Sequence, residues 1–291
     1  MKILVTGATG YIGSAVAEAL ARAGHQVQGL ARSDGAEHTL RSHGIHPVRG
    51  DLSDTAALAA LVQGVDAVIW AATANSEEVD APAVAAMLER MAGTGKAFLY
   101  TSGIWVHGDT EGVVADETRP LNAAKLVAWR PAVERRVLST PGIRGIVLRP
   151  GLVYGRAGSI PAMLVSSARE GDAARFVGTG ENHWPVVFIE DLAELYLRAI
   201  EQAPAGTVLL AVQGPSVKLK DIATAASQGA GKGGKTVSWP LEEARKQLGG
   251  FADALALDQQ FSARRAEQLL GWVPKGPGIL EELSRGSYAR R

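Results

Sequence analysis

Eight residues near the amino end, Thr6-Gly7-Ala8-Thr9-Gly10-Tyr11-Ile12-Gly13, carry the clearest chemistry in this chain of 291 residues. They follow the apolar run Ile3-Leu4-Val5 and open a stripe of Ile12, Val16 and Leu20 at helical spacing. A glycine turn between strand and helix is the context in which a dinucleotide is bound. Gly7 permits the tight turn, Gly10 lets N–H groups approach a pyrophosphate, and Gly13 lets helix and strand pack closely. Main-chain amides over Thr9, Gly10, Tyr11, Ile12 and Gly13 are expected to grip the diphosphate at the positive end of the helix.

The end of the second strand selects the dinucleotide. NAD binders place a carboxylate there to hold the ribose 2′-hydroxyl. Here the strand ends Gly29-Leu30-Ala31-Arg32-Ser33, with alanine where the acid is expected. Arg32 suits a 2′-phosphate and Ser33 adds a hydrogen bond, which favours NADP. Asp34 leaves a ribose contact, and hence NAD, open.

Other reactive patterns fail on context. Gly229-Ala230-Gly231-Lys232-Gly233-Gly234-Lys235-Thr236 matches a phosphate loop letter by letter. A helical pattern precedes it and a strand follows, the reverse of what such a loop needs. His38, His43 and His46 lie near one another without the spacing or carboxylates of a metal site, so no metal is expected. No G-x-S-x-G elbow is present. There are no cysteines, which removes disulfides and thiolate chemistry.

The elements around the turn are those of a doubly wound α/β sheet. Ile3–Val5, Val27–Leu30, Ala67–Trp70, Ala97–Tyr100 and Ile146–Leu148 read as strands apolar on both faces. Between them run helical stripes, including Leu58, Leu61 and Val62, and Val79, Val84, Met87, Leu88 and Met91. This βαβ alternation predicts a Rossmann fold over 1–155. The proline-punctuated remainder, 156–291, predicts a smaller substrate lobe partly interleaved with the first, a helix near 189–202 returning to the sheet. Lys+Arg and Asp+Glu are 30 each, so there is no basic surplus for nucleic acid or an anionic membrane. No signal peptide or apolar span is expected, and the expected location is the cytoplasm.

Further motifs resemble a family. The glycine turn, Asp51-Leu52, Tyr100-Thr101-Ser102-Gly103 and Leu148-Arg149-Pro150-Gly151-Leu152-Val153-Tyr154-Gly155 are similar to the extended short-chain dehydrogenase/reductases. That family includes nucleotide-sugar epimerases and dehydratases. Phe188-Ile189-Glu190-Asp191-Leu192-Ala193 and Leu269-Leu270-Gly271-Trp272-Val273-Pro274 extend the likeness over nearly the whole chain. The resemblance implies Asp51 and Leu52 at the adenine edge, Ala71 and Ala72 beside ribose and pyrophosphate, and Pro150 near the nicotinamide. It also brings in Thr101 after the fifth strand.

The family's Tyr-x-x-x-Lys is missing. No lysine here has a tyrosine four positions before it. By spacing to Glu134, Leu126 stands at the tyrosine position and Arg130 at the lysine position, where Arg130 could hold a ribose or phosphate. Pro131 either starts the helix or kinks it. Alignment through His107-Gly108 puts Gly103 at the family's hydroxyl position. A proton donor must then come from Tyr154, Ser102, His183 or His107, while Trp105 and Trp184 shape an apolar pocket.

These readings converge on an NADP-preferring oxidoreductase of a small carbonyl or hydroxyl compound with a non-standard proton donor. A non-catalytic NAD(P) sensor and a nucleotide-sugar epimerase or dehydratase remain open. Apolar positions on 79–91 and 131–138 suggest a homodimer by analogy with the family.

Overall fold

The computed structural model describes residues 1–72 and 76–289. The end of the run Ala67–Ala74 and the terminal Arg290-Arg291, expected to be solvated charge, lie outside the described residues. Strands and helices alternate from the start: β1 (Lys2–Thr6), α1 (Tyr11–Arg22), β2 (Gln26–Ala31), α2 (Asp34–Ser42), β3 (His46–Arg49), α3 (Thr55–Leu61), β4 (Ala67–Trp70), α4 (Glu77–Met91) and β5 (Ala97–Thr101). A short β6 (Val114–Ala115) precedes α5 (Arg130–Ser139), β7 (Arg144–Pro150), β8 (Leu152–Tyr154) and α6 (Ser159–Glu170). Then come β9 (Ala174–Val177), β10 (His183–Phe188), α7 (Ile189–Gln202), β11 (Thr207–Ala211), β12 (Gln213–Lys218), α8 (Leu219–Gly229) and β13 (Thr236–Trp239). The last elements are α9 (Leu241–Leu248), α10 (Gly250–Leu255), β14 (Gln260–Phe261), α11 (Arg264–Leu270) and α12 (Ile279–Arg285).

The chain forms two compact units. The first is Met1–Ser102, Trp129–Arg149 and Ala193–Leu209; the second is Gly103–Ala128, Pro150–Leu192 and Leu210–Arg291. The chain therefore passes between units within β7, α7 and β11.

The first unit is built on a sheet of order β11-β7-β5-β4-β1-β2-β3, with parallel pairing from β7 through to β3. Its strands are apolar throughout because both faces are covered. On one face Leu4, Val68, Trp70, Phe98, Tyr100 and Val147 pack with Leu58, Val84, Met87, Leu88, Val133 and Val137. By strand alternation Ile3, Val5, Ile69, Leu99, Ile146 and Leu148 point to the opposite face, and all six are buried. The apolar positions of α4 and α5 serve this core. No large apolar side chain on either helix is exposed among the described residues. Among the described residues no helix is long and apolar enough to cross a membrane.

One carboxylate holds three elements of this unit together. Asp80, buried on α4, accepts from Trp70 Nε1 on β4 at 2.7 Å, from the Tyr100 hydroxyl on β5 at 2.5 Å, and from Trp129 Nε1 ahead of α5 at 3.2 Å. A second buried contact joins α5 to β7. Arg149 Nε donates to Glu134 Oε1 at 3.1 Å, and Arg149 Nη2 donates to Glu134 Oε2. A fork-to-fork pair of this kind satisfies both charges inside a low-dielectric core.

The second unit has its own core around Tyr154, Trp184, Phe176, Leu219, Ile222 and Leu283. It carries a sheet of order β12-β10-β8 and the pair β13-β9. Its late motifs are structural clasps. Asp191 accepts from the backbone N–H of Lys275 (3.0 Å) and Gly276 (2.8 Å), and Trp272 Nε1 donates to the Asp191 carbonyl at 2.8 Å. The glycine run 229–236 joins the end of α8 to β13, so it is a helix-to-strand loop rather than a phosphate loop.

Asp80→Ala would leave two indole N–H groups and a phenol without their acceptor. Each buried unsatisfied donor costs about 1–3 kcal/mol. The variant is expected to lose roughly 3 kcal/mol or more in urea unfolding, while Asp34→Ala, on an exposed side chain, stays near the parent value.

Candidate cofactor site

At the end of β1 the chain turns through Gly7 at φ +69°, a left-handed conformation open to glycine. A Cβ on Gly7 would lie 2.6 Å from the Ala71 carbonyl oxygen, and one on Gly13 would lie 2.1 Å from the Gly7 carbonyl oxygen. Real carbon–oxygen contacts are never that short, so α1 can approach β1 and β4 only without these side chains. Gly10 N–H donates to Gly7 O at 2.8 Å and closes the turn. Thr9 and Gly10 are exposed, and Tyr11 and Ile12 half-buried. No side chain caps the amino end of α1, and its first turn has no acid. This cradle fits a diphosphate: small, positively polarised and without a competing anion. Ala71 and Ala72 continue from β4 beside it, half-buried.

At the end of β2, Ala31 is buried and Arg32 exposed. Arg32 forms no ion pair among the described residues. Ser33 caps α2, its Oγ accepting from Ala36 N–H at 3.2 Å, which leaves its own O–H able to donate. Asp34 is exposed, and Arg49 Nη1 donates to it at 2.7 Å and to Glu37 at 3.1 Å. Asp51 after β3 is exposed and accepts from Ser53 Oγ (2.6 Å) and Ser53 N–H (2.9 Å), which holds its carboxyl below the usual range. Leu52 next to it is half-buried and packs against the core.

The carboxyl end of β5 gathers the hydroxyls. Thr101 Oγ1 shares a hydrogen bond of 2.7 Å with the buried Tyr196 hydroxyl, on the part of α7 that belongs to this unit. Ser102 Oγ is buried and has no partner, while the Ser102 carbonyl accepts from Arg130 Nη1 at 2.7 Å. Arg130 opens α5 with Pro131 in the first turn, so the proline starts the helix rather than kinking it. Leu126 lies on a separate 3₁₀ turn, Lys125–Val127, and is exposed. The two residues at the family's tyrosine and lysine positions are therefore not on one helix. Pro150 ends β7 and is buried.

Three of the expected proton donors lie in the second unit, in different settings. Tyr154 is fully buried and its hydroxyl is within 2.6 Å of both Gln213 Oε1 and the Pro277 carbonyl. Burial pushes its phenol up, and the charges of Asp191 and Glu282 add to the effect. His107 is buried with its ring 5.0 Å from that of Phe261. His183 is a quarter exposed, and its Nδ1 lies 2.8 Å from Asp258 Oδ1. A carboxylate accepts from Nδ1–H, and Nε2 has no partner among the described residues. Trp184 is buried, its Nε1 donating to the Leu255 carbonyl at 3.0 Å.

Asp80, Tyr196 and Asp258 were not singled out from the sequence, since their partners are 10 to 95 residues away. Asp80 alone gave a signal, as an acid within the apolar stripe of α4.

Comparison with known proteins places these features. An uncharacterized protein of Saccharomyces cerevisiae is 32% identical over 304 residues, covering 99% of this chain and 99% of that one. The 2-alkyl-3-oxoalkanoate reductase of Stenotrophomonas maltophilia is 28% identical over 322 residues, covering 94% of this chain and 95% of that one. The solved UDP-glucose 4-epimerase of Thermus thermophilus, in complex with NAD, shares the fold with a TM-score of 0.78 at 20% identity, over 99% of this chain and 98% of that one. The model of the NAD-dependent epimerase/dehydratase family matches residues 3–211, from the first strand to the last strand of the seven-stranded sheet. The chain belongs to that family.

Proposed function

We propose that this protein is an NADP-preferring reductase of a carbonyl group on a small organic molecule. The observation that carries the cofactor preference is Arg32, an exposed cation at the end of β2 with no ion pair among the described residues, close in sequence to acids engaged by Arg49. A 2′-phosphate offers the dianion that such a guanidinium and the Ser33 hydroxyl would hold. Reduction is favoured over epimerisation because Leu126 cannot exchange a proton where the family has its tyrosine. The similarity to a protein named as an oxoalkanoate reductase supports the same reaction class.

Bound at this turn, the reduced dinucleotide would supply a hydride to the carbonyl carbon. The chain's part is to bind and orient it and to deliver one proton to the carbonyl oxygen, giving the alcohol. Among the donors expected from the sequence, His183 is favoured: Asp258 orients its ring through Nδ1, and Nε2 has no partner among the described residues. The Tyr154 hydroxyl is occupied by its own hydrogen bonds and serves the second unit's packing.

Three outcomes test this reading. Arg32→Ala should raise the KM for NADPH about 10- to 100-fold and leave that for NADH nearly unchanged. Equal loss with both would remove the preference for NADP. Gly13→Ala should abolish binding of both by calorimetry, because helix and turn cannot keep their spacing. His183→Gln should lower the reduction of an aldehyde or ketone roughly 10²- to 10⁴-fold with NADPH affinity unchanged. Tight NADPH binding with no turnover across aldehydes and ketones would instead point to a sensing role.

A further inference from the structure

In the first unit Arg130 is a partly buried cation with no ion pair among the described residues. The Arg130 guanidinium is permanently charged and half-buried at the first turn of α5. Of its five N–H donors, one is engaged, Nη1 to the Ser102 carbonyl at 2.7 Å. The Trp129 ring lies beside it, 5.9 Å from Cζ to centroid. No carboxylate forms an ion pair with it among the described residues.

Both acids in its surroundings are already held. Glu134, one turn further along α5, gives both oxygens to Arg149. Asp80 receives two indoles and the Tyr100 phenol. The Tyr100 and Tyr196 phenols both feel the charge of Arg130, so the guanidinium lies among these buried groups. Within the cluster Arg149 is paired with Glu134, whereas Arg130 has one hydrogen bond, to a backbone carbonyl, among the described residues.

A second observation points the same way. Ser102 is 4% exposed, and its Oγ has no hydrogen-bond partner. Its N–H donates to the Leu148 carbonyl at 2.8 Å and its carbonyl is taken by Arg130, so the hydroxyl is the one group left over. The neighbouring Thr101 hydroxyl is turned to Tyr196. The amino end of α5 has no side-chain cap and no acid in its first turn, so the helix adds positive potential. These groups stand at the carboxyl end of β5, which β4 separates from the glycine turn after β1 in the same sheet.

We infer that Arg130 and Ser102 form an anion subsite for the substrate, which is therefore an oxo acid held through its carboxylate. A planar guanidinium presents paired donors that match the two oxygens of a carboxylate, and a hydroxyl completes the contact. The inference rests on the reductase reading above and narrows its substrate class. It replaces the expectation that Arg130 holds a ribose or phosphate of the cofactor, the second source of the same chemistry.

The test uses the whole protein saturated with NADP⁺ and titrated calorimetrically with a short 3-oxo acid and, separately, its methyl ester. The acid is expected to bind about tenfold tighter or more. Arg130→Gln should erase that difference with NADP⁺ affinity unchanged; Arg130→Lys, which keeps the charge without the fork, should retain part of it. Ser102→Ala should weaken the acid several-fold and the ester less. Equal binding of acid and ester, or no binding of either, overturns the subsite. So does an Arg130→Gln variant that loses NADP⁺ but keeps the acid-to-ester ratio, which would return Arg130 to the cofactor. Acid-selective binding without NADPH oxidation upholds the subsite and removes the reductase reading. NADPH oxidation by acid and ester alike does the reverse.

Discussion

The Gly7 carbonyl oxygen occupies the space in which a side chain on residue 13 would sit. Much of the first unit follows from that exclusion. Because α1 lies so close to the end of β1, its uncapped amino end opens directly beyond the sheet rather than against a side chain. The same crowding at Gly7 locks the turn onto Ala71, so the ends of β1 and β4 form one edge. A diphosphate needs that edge to be small, polarised and free of acids, and all three conditions come from the placement of glycines and not from any reactive group.

Behind the edge, the core is organised by polar contacts that leave few charges unmatched. Asp80 draws α4, β4, β5 and the approach to α5 onto one carboxylate. Arg149 and Glu134 fasten α5 to β7. Arg144 fills a similar role at the sheet's other end, donating to the Ala203 carbonyl at 2.9 Å and to that of Ile200, at the carboxyl end of α7. Burying charged groups is costly unless each is paired, and this pairing makes Arg130 stand out.

The fold was legible in the sequence because its signals are local. Apolar runs such as Ala67–Trp70 can only be strands covered on both sides, and the stripe of Ile12, Val16 and Leu20 marks α1 one residue after the turn. The glycine turn, too, is read from spacing alone. The roles of single polar residues were less legible, since these depend on partners far along the chain. Tyr154 sits in a motif that resemblance puts over a cleft, yet Gln213 and Pro277, 59 and 123 residues on, engage its hydroxyl. Asp34, read from the sequence as open to a ribose, has a partner in Arg49 at the end of β3, 15 residues on. Tyr196, on the buried side of α7, became visible as Thr101's partner only once the helix was in place.

The Asp80 contacts also give the molecule a built-in optical reporter. Two of the six tryptophans, Trp70 and Trp129, donate to one carboxylate, and the second lies beside the Arg130 guanidinium. Indole emission is sensitive to nearby charge, so neutralising that guanidinium would alter the intensity from Trp129 more than from the buried Trp70. A dihydronicotinamide held at the same sheet edge would absorb in the range where indoles emit, coupling the two chromophores without any label.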